Sequence, residues 1–148
     1  MEKYIYLDVC SMSRPFDDQN IIRIRLETEA VNLILLKVKE GPFKLLVSPT
    51  HFKEVEAIPD PIERIELQTV LKKLGEPIIG DKLKIRARAE ELVRLGFGIA
   101  DAAHVAFAEY NGAQFISCDD KLVKKCLVNK IKVWCGNPVL FCEKEGLR

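Results

Sequence analysis

KYIYLDVC, residues 3–10, is the stretch from which the fold can be read. It is a short apolar run rich in β-formers, too short for a helix, and reads as a buried strand. Asp8 interrupts it. An unpaired carboxylate in such a run would cost several kcal/mol to bury, so Asp8 needs a partner. Arg14 and Lys53 are the cations able to approach it from loops, and a bound metal ion is the natural alternative.

After this strand, SRPFDDQN (13–20) is a loop of turn and cap formers. Leu26, Ala30, Leu33, Ile34 and Val38 then recur at helical spacing over 22–40, and Gly41 with Pro42 stops that helix. Residues 43–47 read as a second buried strand. Ser48 before Pro49 has the form of an N-cap followed by the favoured first helical proline, predicting a helix onward through Glu54.

Pro59 and Pro61 break that helix, and a helical hairpin is expected over 62–74 and 81–95, separated by Gly75, Pro77 and Gly80. IADAAHVAFAEYNG (99–112) carries Ile99, Ala103, Ala106 and Tyr110 on one helical stripe and ends at Asn111-Gly112. Residues 113–118 are another strand, Asp119 and Asp120 open the next helix, 131–135 form a fourth strand and 139–142 a candidate fifth. Strands alternating with helices imply an α/β fold whose mainly parallel sheet of four to five strands is covered on both faces. With no internal repeat and no low-complexity linker, one domain is expected over residues 1–148.

At 148 residues, with 48% apolar and 30% charged residues, the composition is that of a soluble globular protein with a substantial core. No apolar run approaches the roughly 20 residues of a spanning helix, and MEKYIYLDVCS leads into a strand rather than a signal peptide, so a cytoplasmic protein with no membrane partner is expected. Five cysteines without a Cys-x-x-Cys pair fit reduced thiols, read as small buried hydrophobes. The net charge of +1 decides nothing about nucleic acid, but KLVKKCLVNKIK (121–132) holds five lysines and no acid. That segment is either a phosphate-attracting patch or a solvated helix face.

Parallel sheets gather ligands beyond the carboxyl ends of their strands. Four acids fall there: Asp8 at the end of the first strand, Glu54 in the helix after the second, Asp101 at the opening of a helix, and Asp119 just past QFISC. Taken singly, Asp101 and Asp119 also suit helix caps or first turns, and Glu54 suits a solvated helix face. Gathered together they would repel, raise one another's pKa, and become tolerable as ions around a divalent cation. All-oxygen ligands indicate Mg²⁺ or Mn²⁺, and zinc is disfavoured because His51 and His104 lie far apart and no cysteine has ligand spacing.

YLDVCS, SPTHFKE, GIADAAHVAFAEYNGA and FISCDD, in this order and spacing, resemble the motifs of the PIN-domain family, and in particular its small VapC-type ribonuclease toxins. The likeness spans nearly the whole chain. It implies a three-layer α/β/α sandwich in which Asp8, Glu54, Asp101 and Asp119 form an acidic tetrad holding Mg²⁺ or Mn²⁺. Ser117 matches the Ser or Thr that helps order the acids, while Asp120 either shares the metal or caps its helix. His104, one helical turn past Asp101, is read as packing or support for the acids, with proton transfer the less favoured role. The chain departs from the pattern at Cys10, where many VapC-type members have Asn, and in the loop containing Asp17 and Asp18.

The activity this implies is metal-dependent hydrolysis of RNA phosphodiesters, with Arg14, Lys124 and Lys125 gripping the substrate backbone. By the same resemblance a homodimer and a cognate antitoxin protein are expected partners. Two other readings stand beside it: a catalytically inactive PIN-fold module binding RNA or protein, and an HAD-like phosphatase using Asp8 as nucleophile. The phosphatase pattern wants a second Asp two residues on, where this chain has Cys10.

Overall fold

The computed structural model describes residues 3–148; Met1 and Glu2, the start of the segment leading into the first strand, lie outside the described residues. Five parallel strands form one sheet in the order β3-β2-β1-β4-β5. They are β1 (Lys3–Leu7), β2 (Phe43–Val47), β3 (Gly75–Pro77), β4 (Gln114–Ile116) and β5 (Cys135–Gly136). The first strand is therefore central, with Ile5 opposite Leu45 on one side and Gln114 on the other. This is the α/β sandwich with a parallel sheet that the alternation of elements predicts.

The period of two along each strand divides the core. Ile5 and Leu7 of β1, with Phe43, Leu45 and Val47 of β2, bury against α2 (Ile22–Glu40), α3 (Pro49–Glu56), α4 (Pro61–Leu74) and α8 (Pro138–Glu145). Tyr6, Leu46 and Phe115 face the other way, toward α5 (Lys82–Arg94), α6 (Ile99–Tyr110) and α7 (Asp120–Val128). A short helix α1 (Val9–Met12) and a 3-10 turn (Arg14–Phe16) follow β1. Among the described residues no helix is long and apolar enough to cross a membrane.

The structure differs from the sequence reading in several places. Residues 62–74 and 81–95 do form helices, but not a hairpin: Leu67 and Leu71 of α4 belong to one core and Ile85 and Leu92 of α5 to the other. Between them the supposed breakers form β3, whose Pro77 is tolerated because the strand lies at the sheet edge. Gly75 permits the pairing, since a Cβ there would stand 2.5 Å from Val47 Cγ1 and 2.4 Å from the Leu71 carbonyl oxygen.

At the C-terminus, the strand expected over 131–135 contracts to Cys135–Gly136, and 139–142 is helical. Asn137 caps that helix by accepting from the Leu140 N–H at 2.8 Å, Pro138 supplies its first residue, and left-handed Gly146 ends it. Four cysteines are buried as expected, but Cys10 is exposed.

One pair ties α5 to α6. The Arg88 guanidinium grips both oxygens of Glu109, at 2.6 and 3.2 Å, and the Lys132 backbone N–H adds a third donor at 3.0 Å. Burial works to raise the Glu109 carboxyl, but these donors outweigh it and hold the group below its ordinary range. A depressed carboxyl contributes stability above its unfolded pKa that is lost as pH falls through the folded one. Arg88→Leu should therefore cost about 2 kcal/mol at pH 7, on the scale of hydrogen bonds to a charged group. Urea unfolding at pH 7 and pH 3 checks this, with the gap between variant and wild type expected to shrink at pH 3.

Candidate active site

Leu7 ends β1 in the core, and the next residue, Asp8, serves as N-cap of α1 while remaining only 5% exposed. Its partner is a set of hydrogen-bond donors, neither Arg14 nor Lys53. Oδ1 accepts from the Ser11 backbone N–H at 3.1 Å and the Ser11 hydroxyl at 2.7 Å, and the Cys10 thiol donates toward Oδ1 and Oδ2 at 3.2 and 3.3 Å. Desolvation first, then the Asp8 charge and that hydrogen bond, push the Cys10 thiol well up, so it stays a donor. Apart from the thiol, Oδ2 is open.

Glu54 lies near the end of α3, half-exposed, with Oε1 held by Nε2 of His104. His104 projects from α6 into the core, where its Nδ1 meets the Tyr6 hydroxyl at 2.5 Å. His104, expected to pack or to support the acids, touches Glu54 directly. His51, at the third position of α3, is wholly buried: it accepts from the Ser48 N–H and donates to the Leu7 carbonyl. Burial, with His104 nearby, lowers its pKa to about 3, so it is neutral.

Asp101 sits in the first turn of α6, and no described residue donates a hydrogen bond to its carboxylate or pairs with it. Burial raises this carboxyl, and the negative charges of Asp8, Asp119 and Glu54 raise it further, with His104 opposing them. Asp101 is therefore within electrostatic reach of all three other acids. Asp119 is the N-cap of α7, its Oδ1 accepting from the Lys121 and Leu122 N–H groups at 3.0 and 3.2 Å. The Ser117 hydroxyl, fully buried, accepts the Asp119 N–H at 3.0 Å and so orients the turn.

Asp120, expected to cap this helix, does not, because Asp119 does; Asp120 instead takes both Nη groups of Arg23 at 2.6 and 2.7 Å. Arg14 is engaged as well, with Nε on the buried Glu27 at 2.9 Å and Nη1 on Asp17 at 2.9 Å. Lys124 and Lys125 lie exposed along α7, and Lys125 Nζ donates to the Gly96 carbonyl at 2.8 Å, joining α7 to the loop before α6. With Lys121, Asn129, Leu95 and Val128 they line a recess of about 440 Å³.

The four carboxylates suit a hard divalent cation by chemistry: all donors are oxygen, one acid has no protein partner, and their charges act on one another. Among the described residues, however, no three His, Cys, Asp or Glu side chains are gathered as a group able to hold a metal ion. Sequence reasoning named the four acids and read Ser48 as an N-cap, but gave no role to Ser11, Tyr6, Glu27 or Arg23 and none in this site to His51. His51, three residues after the N-cap Ser48, leaves a local trace in the sequence as its partner in a capping box.

No family model matches the chain, and no curated protein matches it in sequence. Solved structures do. FitAcB from Neisseria gonorrhoeae matches with a TM-score of 0.54 at 15% identity, over 90% of this chain and 97% of that one. FitAB bound to an IR36 DNA fragment gives 0.53 at 17%, over 91% and 95% of the two chains. PAE2754 from Pyrobaculum aerophilum gives 0.52 at 15%, over 96% and 88%. At these identities what is shared is architecture, and the chain has the PIN-like α/β/α fold that its four motifs resemble.

Proposed function

We propose that this chain is a Mg²⁺- or Mn²⁺-dependent ribonuclease that hydrolyses RNA phosphodiester bonds and serves as the toxin of a toxin–antitoxin pair. The observation that supports the nuclease reading is Asp101: a half-buried carboxylate to which no described residue donates, and whose pKa is raised by burial and by the charges of Asp8, Asp119 and Glu54. A divalent cation held by Asp8, Glu54, Asp101 and Asp119 would lower the pKa of an attacking water and offset charge developing on the phosphate. The protein's own part is positional. Ser11 and Cys10 fix Asp8, His104 fixes Glu54, and Ser117 sets the turn that presents Asp119.

Substrate grip falls to α7. Lys121, Lys124 and Lys125 extend from the helix that Asp119 caps, so a backbone phosphate at the acids has its neighbours beside these ammonium groups. Arg14 contributes only if substrate draws it from Glu27 and Asp17. A homodimer and an antitoxin partner belong to the same proposal and rest on the motif resemblance. The phosphatase alternative gains no support, since Cys10 stands where that chemistry wants an acid and instead donates to Asp8.

Incubation of the protein with structured RNA and with a chromogenic phosphate monoester, each with Mn²⁺ or EDTA, tests the reading. RNA cleavage that EDTA abolishes, without monoester turnover, is the expected result, and monoester turnover alone would reverse the assignment. Asp8→Asn and Asp101→Asn should each lower RNA cleavage about 100-fold or more, a loss of about 2.7 kcal/mol of transition-state stabilisation, with the far-ultraviolet circular dichroism unchanged.

A second expectation concerns the metal-free protein. A carboxyl raised on folding contributes stability that is present below its unfolded pKa and lost as pH rises through the folded value. Ionised Asp101 is therefore a burden at neutral pH. Asp101→Asn should melt higher than wild type at pH 7 in EDTA, with the difference closing as pH falls below the ordinary carboxylate range; equal melting temperatures at pH 7 would show that the acids do not confront one another.

A further inference from the structure

Behind Glu54 lie Tyr6, Ser48, His51 and His104, which are 0, 1, 0 and 2% exposed. Four polar side chains in a core must share out their protons among themselves. The Ser48 backbone N–H donates to His51 Nδ1 at 3.0 Å, so that nitrogen is an acceptor and the ring proton sits on Nε2, which donates to the Leu7 carbonyl at 2.6 Å. With Nδ1 of His51 already served, and 3.5 Å from the Ser48 hydroxyl, that hydroxyl has its better partner in the Tyr6 oxygen at 2.7 Å. Tyr6 then turns its own proton to His104 Nδ1 at 2.5 Å, which leaves the His104 proton on Nε2, directed at Oε1 of Glu54. Each group donates once and the sequence ends on the rim acid.

We propose that Tyr6 is a positioning residue of the acidic site: acting through His104, its hydroxyl fixes the imidazole as the Nε2–H tautomer and thereby holds Glu54 with Oε2 free for the cation. This rests on the reading of Glu54 as a cation-holding acid. Packing adds to the constraint. The Tyr6 ring lies 4.4 Å from that of His51 and 5.4 Å from that of His104 by centroid, so its side chain packs against both imidazoles. Tyr6 comes from the central strand, two residues before Asp8, so one segment orients both the first acid and the second.

Tyr6→Phe keeps the ring and removes the oxygen. The chain has two histidines, so nitrogen-15 spectra of its imidazoles are simple to assign. In wild type both rings should show the Nε2–H signature, and in Tyr6→Phe only His104 should change. Mn²⁺ affinity by calorimetry should fall roughly 10-fold, as for outer partners of metal ligands. Tyr6→Phe added to His104→Gln should weaken Mn²⁺ no further than His104→Gln alone, whereas a packing role would add. If Tyr6→Phe does not fold, Ser48→Ala leaves the tyrosine in place, removes its directing donor, and should shift the same His104 signals. Wild type binding Mn²⁺ with unchanged affinity in the variants, or fully additive losses, would overturn this inference alone; wild type binding no Mn²⁺ would overturn the nuclease reading and this one with it.

Discussion

The buried carboxylate of Asp8 is the constraint around which the rest of the molecule is arranged. It stands at the end of the central strand, where its desolvation would be prohibitive without donors. The chain answers by turning at once into α1, so that Ser11 returns an N–H and a hydroxyl to Oδ1 and Cys10 adds its thiol. All of these donors are neutral: an amide, a hydroxyl and a thiol satisfy the carboxylate oxygens without a lysine or arginine beside them.

The same economy extends along the rim. Glu27 and Asp120 occupy Arg14 and Arg23, so these two arginines brace α2 against its neighbours. Glu27 is 1% exposed and accepts from both arginines, which is the pairing a buried charge requires. Exposed positive charge lies on α7, in Lys121, Lys124 and Lys125.

Much of this was legible in the chain. The second strand and the helix over 22–40 were readable to the residue, because a continuous apolar run and a 3.6 period are local signals with clear stops at Gly41 and Pro42. The acids stand out as candidates because the motifs that carry them occur in a familiar order. The region around Gly75 was misread because its pairing with β2, Gly75 opposite Leu45 and Pro77 opposite Val47, is a tertiary event with no local mark, and α8 because Val139 to Cys142 is apolar enough for either state until Asn137 and Pro138 are given their capping weight. Tyr6 and the Arg23–Asp120 pair were invisible for the same reason: what they do depends on partners that the fold supplies, across 98 residues between Tyr6 and His104 and 97 between Arg23 and Asp120.

The two margins of the sheet have a consequence for how copies of this chain can meet. One margin is three residues long and ends in Pro77, which has no N–H to offer; the other is two residues long, with the Trp134 ring packed against Gly136 so closely that a Cβ there would stand 2.5 Å from it. Edges this short offer a second strand few backbone groups to pair with, which disfavours strand-templated aggregation and leaves the helix surfaces as the larger part of what this fold shows to other molecules.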